Sequence, residues 1–170
     1  MDAQIILRPV EAEDEKDINI LRRQPSVMHY TLGLPSERRA SNQSFINGLT
    51  ENNHVIVAEN DGRVVGIGSL EVLGGKLHYY GLTAMAVHDE FQNQGIGSRL
   101  LDCLIDIADN YLGLFRLELD VVEENTRAVQ LYKSREFETE GTLRKAHFAR
   151  GAFHNVLVMG RLNTALLPKD

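Results

Sequence analysis

The sequence predicts an α+β (mixed α/β) fold, one domain over residues 1–170, whose central twisted sheet is mixed but mostly antiparallel, with about six to seven strands flanked by about four helices. Three observations carry that prediction. Strand-type runs cluster around the tight-turn pair Asp61-Gly62, which makes consecutive antiparallel strands. The apolar run Leu82–Val87 then gives way to helical spacing, with Ile96, Leu100, Leu104, Ile107, Ala108 and Tyr111 recurring on one side. A strand, helix, strand, helix succession through Met85, Asn110, Val122 and Ser134 finally implies a right-handed crossover between parallel strands.

The elements follow in order. Gln4–Pro9 reads as a first strand, with Pro9 tolerated at its end. Ala12–Arg23 is a helix with Ile18 and Leu21 on its apolar side and acidic residues in its first turn, where the dipole favours them. Residues 24–36 read as a loop with a short helical piece, and Ser36 is placed to cap a helix running to about Leu49. Val55–Glu59, the turn Asn60-Asp61-Gly62 and Arg63–Val72 form a hairpin, and Gly74-Gly75 turns the chain into a strand over Lys76–Val87. In Phe115–Val122 the residues Leu117, Leu119 and Val121 alternate with Arg116, Glu118 and Asp120, giving one apolar and one charged face. A helix over Thr126–Ser134 precedes closing strands at Lys145–Ala149 and Phe153–Leu162, joined at Arg150-Gly151. The last residues are expected to fray.

Composition narrows the function. At 170 residues and 43% hydrophobic content the chain can bury one sizeable core. Its net charge of -6 argues against a nucleic-acid partner and suits a cationic or amine one. No apolar run approaches the roughly 20 residues of a membrane span, and the N-terminus has no signal-peptide pattern, so a cytoplasmic protein is expected. The single Cys103 can make neither an internal disulfide nor a cysteine zinc site, and it sits in the helical apolar pattern as a small core residue. Six scattered histidines without ligand spacing argue against a metal.

The stretch from Met85 to Leu101 holds the chemistry. Gly95 and Gly97 fall at the first turn of a helix, where amides lack intrahelical partners and the dipole is positive. Such a bend binds phosphate when no side chain blocks approach. The dinucleotide fingerprint fails because Leu100 stands where a third small residue belongs, and the Walker lysine is absent. Downstream, Ala128, Leu131 and Tyr132 share one side of a helix, which by spacing alone is core packing, with the Tyr132 hydroxyl bonded to backbone.

The pattern Gln92-x-x-Gly95-x-Gly97 after Met-Ala-Val resembles the acyl-CoA pyrophosphate loop of the GNAT superfamily of N-acetyltransferases. Asn125-x-x-Ala128-x-x-Leu131-Tyr132, shortly before Phe137, is similar to that family's other signature, with Glu136 in place of the usual Gly. The resemblance is specific between Met85 and Phe137. It implies an acetyl-CoA-dependent N-acetyltransferase, like bacterial enzymes acting on amino acids or small amines. A protein N-terminal or lysine acetyltransferase and a non-catalytic CoA-binding module are the alternatives.

The resemblance also implies roles. Backbone N–H groups of Gln92, Asn93, Gln94, Gly95, Ile96, Gly97 and Ser98 would hold the pyrophosphate, and Met85, Ala86 and Val87, at a bulge, would meet the acetyl carbonyl and pair with pantetheine. Asn125 would contact the CoA arm, and Tyr132 would be the general acid at the sulfur. Asp120 occupies the position of a glutamate base in ribosomal-protein N-terminal acetyltransferases; Glu118 on the same face, a water chain, or a merely solvated sheet face are the other readings. His78, Tyr79 and Tyr80, and less directly His147 and His154, would line an acceptor pocket whose specificity comes from residues 24–36 and the last hairpin. A homodimer without a metal is the expected state.

Overall fold

The computed structural model describes residues 5–167, so the Gln4 end of the first expected strand lies outside the described residues. Seven strands form one sheet: β1 (Ile6–Pro9), β2 (Asn53–Asn60), β3 (Arg63–Val72), β4 (Tyr80–Val87), β5 (Arg116–Val122), β6 (Glu138–Ala149) and β7 (Ala152–Leu162). Their order is β1-β2-β3-β4-β5-β7-β6, and every pairing is antiparallel except that of β4 with β5. Among the described residues five α-helices cover it: α1 (Glu15–Arg22), α2 (Pro25–Tyr30), α3 (Arg39–Asn47), α4 (Ile96–Asp106) and α5 (Thr126–Lys133). The mixed, mostly antiparallel architecture read from the sequence is the one observed.

Hydrophobic periodicity sorts the helices onto the two faces. Ile18, Leu21 and Val27 of α1 and α2 pack on Val55, Val57, Val64 and Ile67. On the opposite face Leu101 and Leu104 of α4 and Val129 and Tyr132 of α5 bury against Leu117, Leu119 and Val121 of β5. The Asp61-Gly62 turn has positive φ at both residues (49° and 78°), the geometry a two-residue hairpin requires.

Four expectations need correction. Ser36 does not cap α3, which begins at Arg39; Glu37 is instead held by Asn19 and Arg22 of α1. Lys76 does not open β4, because Gly75 at φ 63° starts a helical turn through Leu77, and extension resumes at Tyr80. Tyr111 is 78% exposed, since beyond Asp106 the helix widens into a π-type segment that swings it off the apolar side. β6 begins at Glu138 rather than Lys145: as an outer strand its first half is mostly exposed and shows no alternation.

One join controls the site. β4 and β5 pair only at Tyr80↔Arg116, Gly81↔Leu117 and Leu82↔Glu118, then separate. At that pinch a Cβ on Gly81 would lie 2.6 Å from Leu70 Cδ1 and 3.0 Å from both Leu114 Cδ1 and Leu117 Cδ2. Gly81→Ala should therefore cost about 1–3 kcal/mol through overpacking, read as a lower urea midpoint with an unchanged m-value.

Candidate active site

Past the pinch, β4 stays bonded to β3 and β5 to β7, so a gap opens between two otherwise complete half-sheets. Antiparallel pairing alternates the side to which each residue's amide and carbonyl point. Tyr80 O accepts from Leu73 N–H and His88 N–H donates to Val65 O, so even-numbered β4 residues face β3. Met85 and Val87 therefore turn their backbone groups into the gap, while Ala86 turns its own to β3. The β3–β4 register is unbroken from Gly81 to Val87, so the bulge implied by the resemblance is absent; divergence from β5 exposes the amides instead. By the same alternation Asp120 and Val122 of β5 face the gap from the other side.

At the open end of the gap lies the glycine-rich bend. Gly95 has φ 78°, ψ 0°, a left-handed conformation that leads into α4 and that side chains resist. Among the described residues the amides of Asn93, Gln94, Gly95, Ile96, Gly97 and Ser98 have no acceptor, apart from which Arg99 N–H bonds Gly95 O at 3.0 Å. A Cβ on Gly97 would stand 3.6 Å from Leu131, 3.9 Å from Met85 and 3.9 Å from Val87, ordinary contact. Protein packing therefore does not demand Gly97, and its missing side chain leaves the bend open to approach. Run together, the bare amides and the dipole of α4 form an anion cradle. The cation beside it is Arg127, whose Nη1 donates to Asn93 Oδ1 at 2.8 Å and whose Nη2 donates to Gln92 Oε1.

The second motif meets this gap through α5. Asn125 caps the helix, its Oδ1 accepting from Ala128 N–H at 3.4 Å, which leaves the Nδ2 donors free among the described residues. Val129 and Tyr132 are the buried pair, with Ala128 and Leu131 half-buried beside them. Glu136, in the place of the usual Gly, takes φ 67°, so the left-handed turn survives and Phe137 N–H still reaches Tyr132 O at 3.1 Å. Tyr132 lies against Phe137 at 5.8 Å between ring centroids and is 6% exposed. Its hydroxyl bonds no protein group among the described residues, contrary to the packing-only reading, and burial alone pushes its pKa up to about 12.

Two carboxylates share the charged face of β5 and differ in environment. Glu118 accepts from Tyr80 Oη and, at 2.7 Å, from Arg116, which also binds Glu140. Asp120 has no hydrogen-bond partner among the described residues. Asp120 is exposed, yet its pKa is raised, first by partial desolvation and second by the Glu118 charge. His78 folds back onto Gly75 O at 3.0 Å and Tyr79 is exposed, so of that trio only Tyr80 stands on the Glu118 face.

Over this face lies α2. Its Ser26 binds Asp89 just past β4, and at its other end His29 O accepts from His147 Nε2 of β6 at 2.8 Å. One anchor follows the end of β4 and the other lies on β6, on opposite sides of the gap, so α2 roofs it. His29, His147 and His154 cluster there, with His29–His154 centroids 5.3 Å apart and His154 Nδ1 3.2 Å from Glu124. Burial, then the nearby Arg150 charge, holds His29 below the usual histidine range. Among the described residues no three His, Cys, Asp or Glu side chains converge to hold a metal ion, and no helix is long and apolar enough to cross a membrane.

Residues 19–137 match the model of the acetyltransferase (GNAT) family. The chain belongs to that family. This GNAT protein is 29% identical over 163 residues to the L-amino acid N-acetyltransferase AaaT of Escherichia coli K12, covering 94% of this chain and 99% of that one. It is 28% identical over 157 residues to the spermidine N(1)-acetyltransferase of the same organism, covering 90% and 83%. Spermidine N-acetyltransferase from Vibrio cholerae, solved in complex with CoA and spermine, superposes with TM-score 0.83 at 25% identity over 97% of this chain and 99% of that one. The GNAT chain is an acyltransferase with acetyl-CoA as its acetyl donor, and the gap and the bare amide run fit that donor. Ser26, Asp89 and Arg127 escaped the sequence reading: the first two are 63 residues apart, and Arg127 fills a variable position of its motif.

Proposed function

We propose that this single domain acetylates a small primary amine, an amino acid or a polyamine, on the face carrying Asp120 and beneath α2. Acetyl-CoA supplies an activated acetyl group as a thioester. Amides from Asn93 to Ser98 bind its pyrophosphate, whereas the Gln92 N–H expected to join them is bonded to Asp89 O at 3.4 Å because a helical turn closes there. Asn125 steadies its arm, and Met85 and Val87 present N–H groups to the acetyl oxygen. A fixed donor of that kind contributes roughly 2.7–4 kcal/mol to an acyl-transfer transition state. Tyr132 protonates the departing sulfur, and Asp120, directly or through one water, takes the proton of the amine.

The observation that carries this reading is the parting of β4 from β5, which leaves the Met85 and Val87 amides free, with Asp120 on the bordering strand and Tyr132 on α5 bonded to no protein group among the described residues. The amino-acid and polyamine activities of the two Escherichia coli relatives support a small acceptor over a protein N-terminus. A net charge of -6 supports a cationic amine. We further propose a homodimer, supported by the exposed Phe148 and Phe153 on the outer hairpin (61% and 60%), and a cytoplasmic setting, where Cys103 and the CoA thiol stay reduced.

Thiol release from acetyl-CoA across a panel of L-amino acids and polyamines tests the acceptor. Turnover with at least one of them is the expected result. Tight CoA binding with no release for any amine would leave only a binding module.

A further inference from the structure

Gln92 opens the pyrophosphate loop, yet its side chain is engaged elsewhere. Its Nε2 donates to Ser26 Oγ at 2.8 Å, to Val87 O at 3.1 Å and to Asp89 Oδ1 at 3.4 Å. Its Oε1 accepts from Arg127, whose other nitrogen holds Asn93. Ser26 in turn binds Asp89 through both its hydroxyl and its amide. One amide side chain therefore joins the loop, the end of β4, α5 and α2. At six residues, α2 is too short to hold its place by helix propensity and depends on such tethers.

We infer that Gln92 and Ser26 are positioning residues that couple occupancy of the pyrophosphate loop to the seating of α2 over the acceptor face. The inference rests on the small-amine reading above. Anions drawn onto the loop amides pull on Asn93 and Arg127, and these hold Gln92 against Ser26. Linkage makes the effect reciprocal: what CoA does for the acceptor, the acceptor does for CoA.

Calorimetric titration of CoA, alone and with a saturating amine that turns over in the panel, reads this directly, because CoA and amine do not react. The wild type and Ser26→Thr, which keeps the hydroxyl, should bind CoA at least about fivefold tighter with the amine present. In Ser26→Ala the enhancement should vanish and the acceptor KM should rise by the same factor, with the affinity for CoA alone within about twofold. Equal enhancement in wild type and Ser26→Ala, or none in the wild type, overturns the coupling. Absence of thiol release from the wild type with every amine overturns the acceptor reading itself, and the coupling with it.

Discussion

Tyr132→Phe is expected to lower kcat by about 10²- to 10⁴-fold while the acetyl-CoA KM stays within about twofold. The phenol lies in the core cluster, touches Phe137 and spends its hydroxyl on no protein group among the described residues. Replacing Tyr132 with Phe removes no protein hydrogen bond among the described residues, so the melting temperature should stay nearly unchanged. Any kinetic loss would then be chemical. With its pKa pushed up to about 12, Tyr132 carries its proton throughout the working pH range. The same dry surroundings raise the proton affinity of a thiolate formed beside it, so donor and acceptor shift together. Loss of kcat with binding intact is the signature of an interaction made only in the transition state. Steady-state kinetics on Tyr132→Phe checks it, and unchanged turnover would remove Tyr132 from the chemistry.

Where neighbours in sequence decide the structure, the chain was readable. The β4–bend–α4 unit announces itself through a change of apolar period and two glycines, and the Asp61-Gly62 hairpin through turn chemistry. β5 alternates cleanly because it is an inner strand with one buried and one polar face. The opening of β6 was not readable: Glu138 to Ala146 lie on an outer strand, where solvent imposes no period. Glu136 looked like a break in a motif, because no pattern shows that a glutamate will accept φ 67° when the helix and Phe137 hold it there.

The site divides along the same line. Loop residues and Tyr132 sit in contiguous motifs, whereas the Tyr80–Glu118–Arg116–Glu140 group joins three strands and the Ser26–Gln92 bond joins α2 to the loop. Such pairings exist only once the sheet order does. The separation of β4 from β5 has no sequence signal either, because both strands remain regular while they part.

Asp120→Asn should reduce kcat/KM by about 10²- to 10⁴-fold and abolish the acid limb of its pH profile. A general base works only when deprotonated, so activity is low below its pKa and climbs as pH rises through it. Because desolvation and the Glu118 charge raise that pKa, the wild-type limb should lie above the ordinary aspartate value of about 3.9. Glu118→Gln supplies the control. It removes a like charge, so the limb should move to lower pH, with a smaller loss of rate than in Asp120→Asn. Glu118 is held in place by Tyr80 and by the Arg116 cation, while Asp120 is bonded to nothing among the described residues. Asp120 is one methylene shorter than the glutamate it would stand for, so a single bridging water completes its reach. If Asp120→Asn keeps both rate and acid limb, the amine loses its proton to a water chain that owes nothing to this carboxylate.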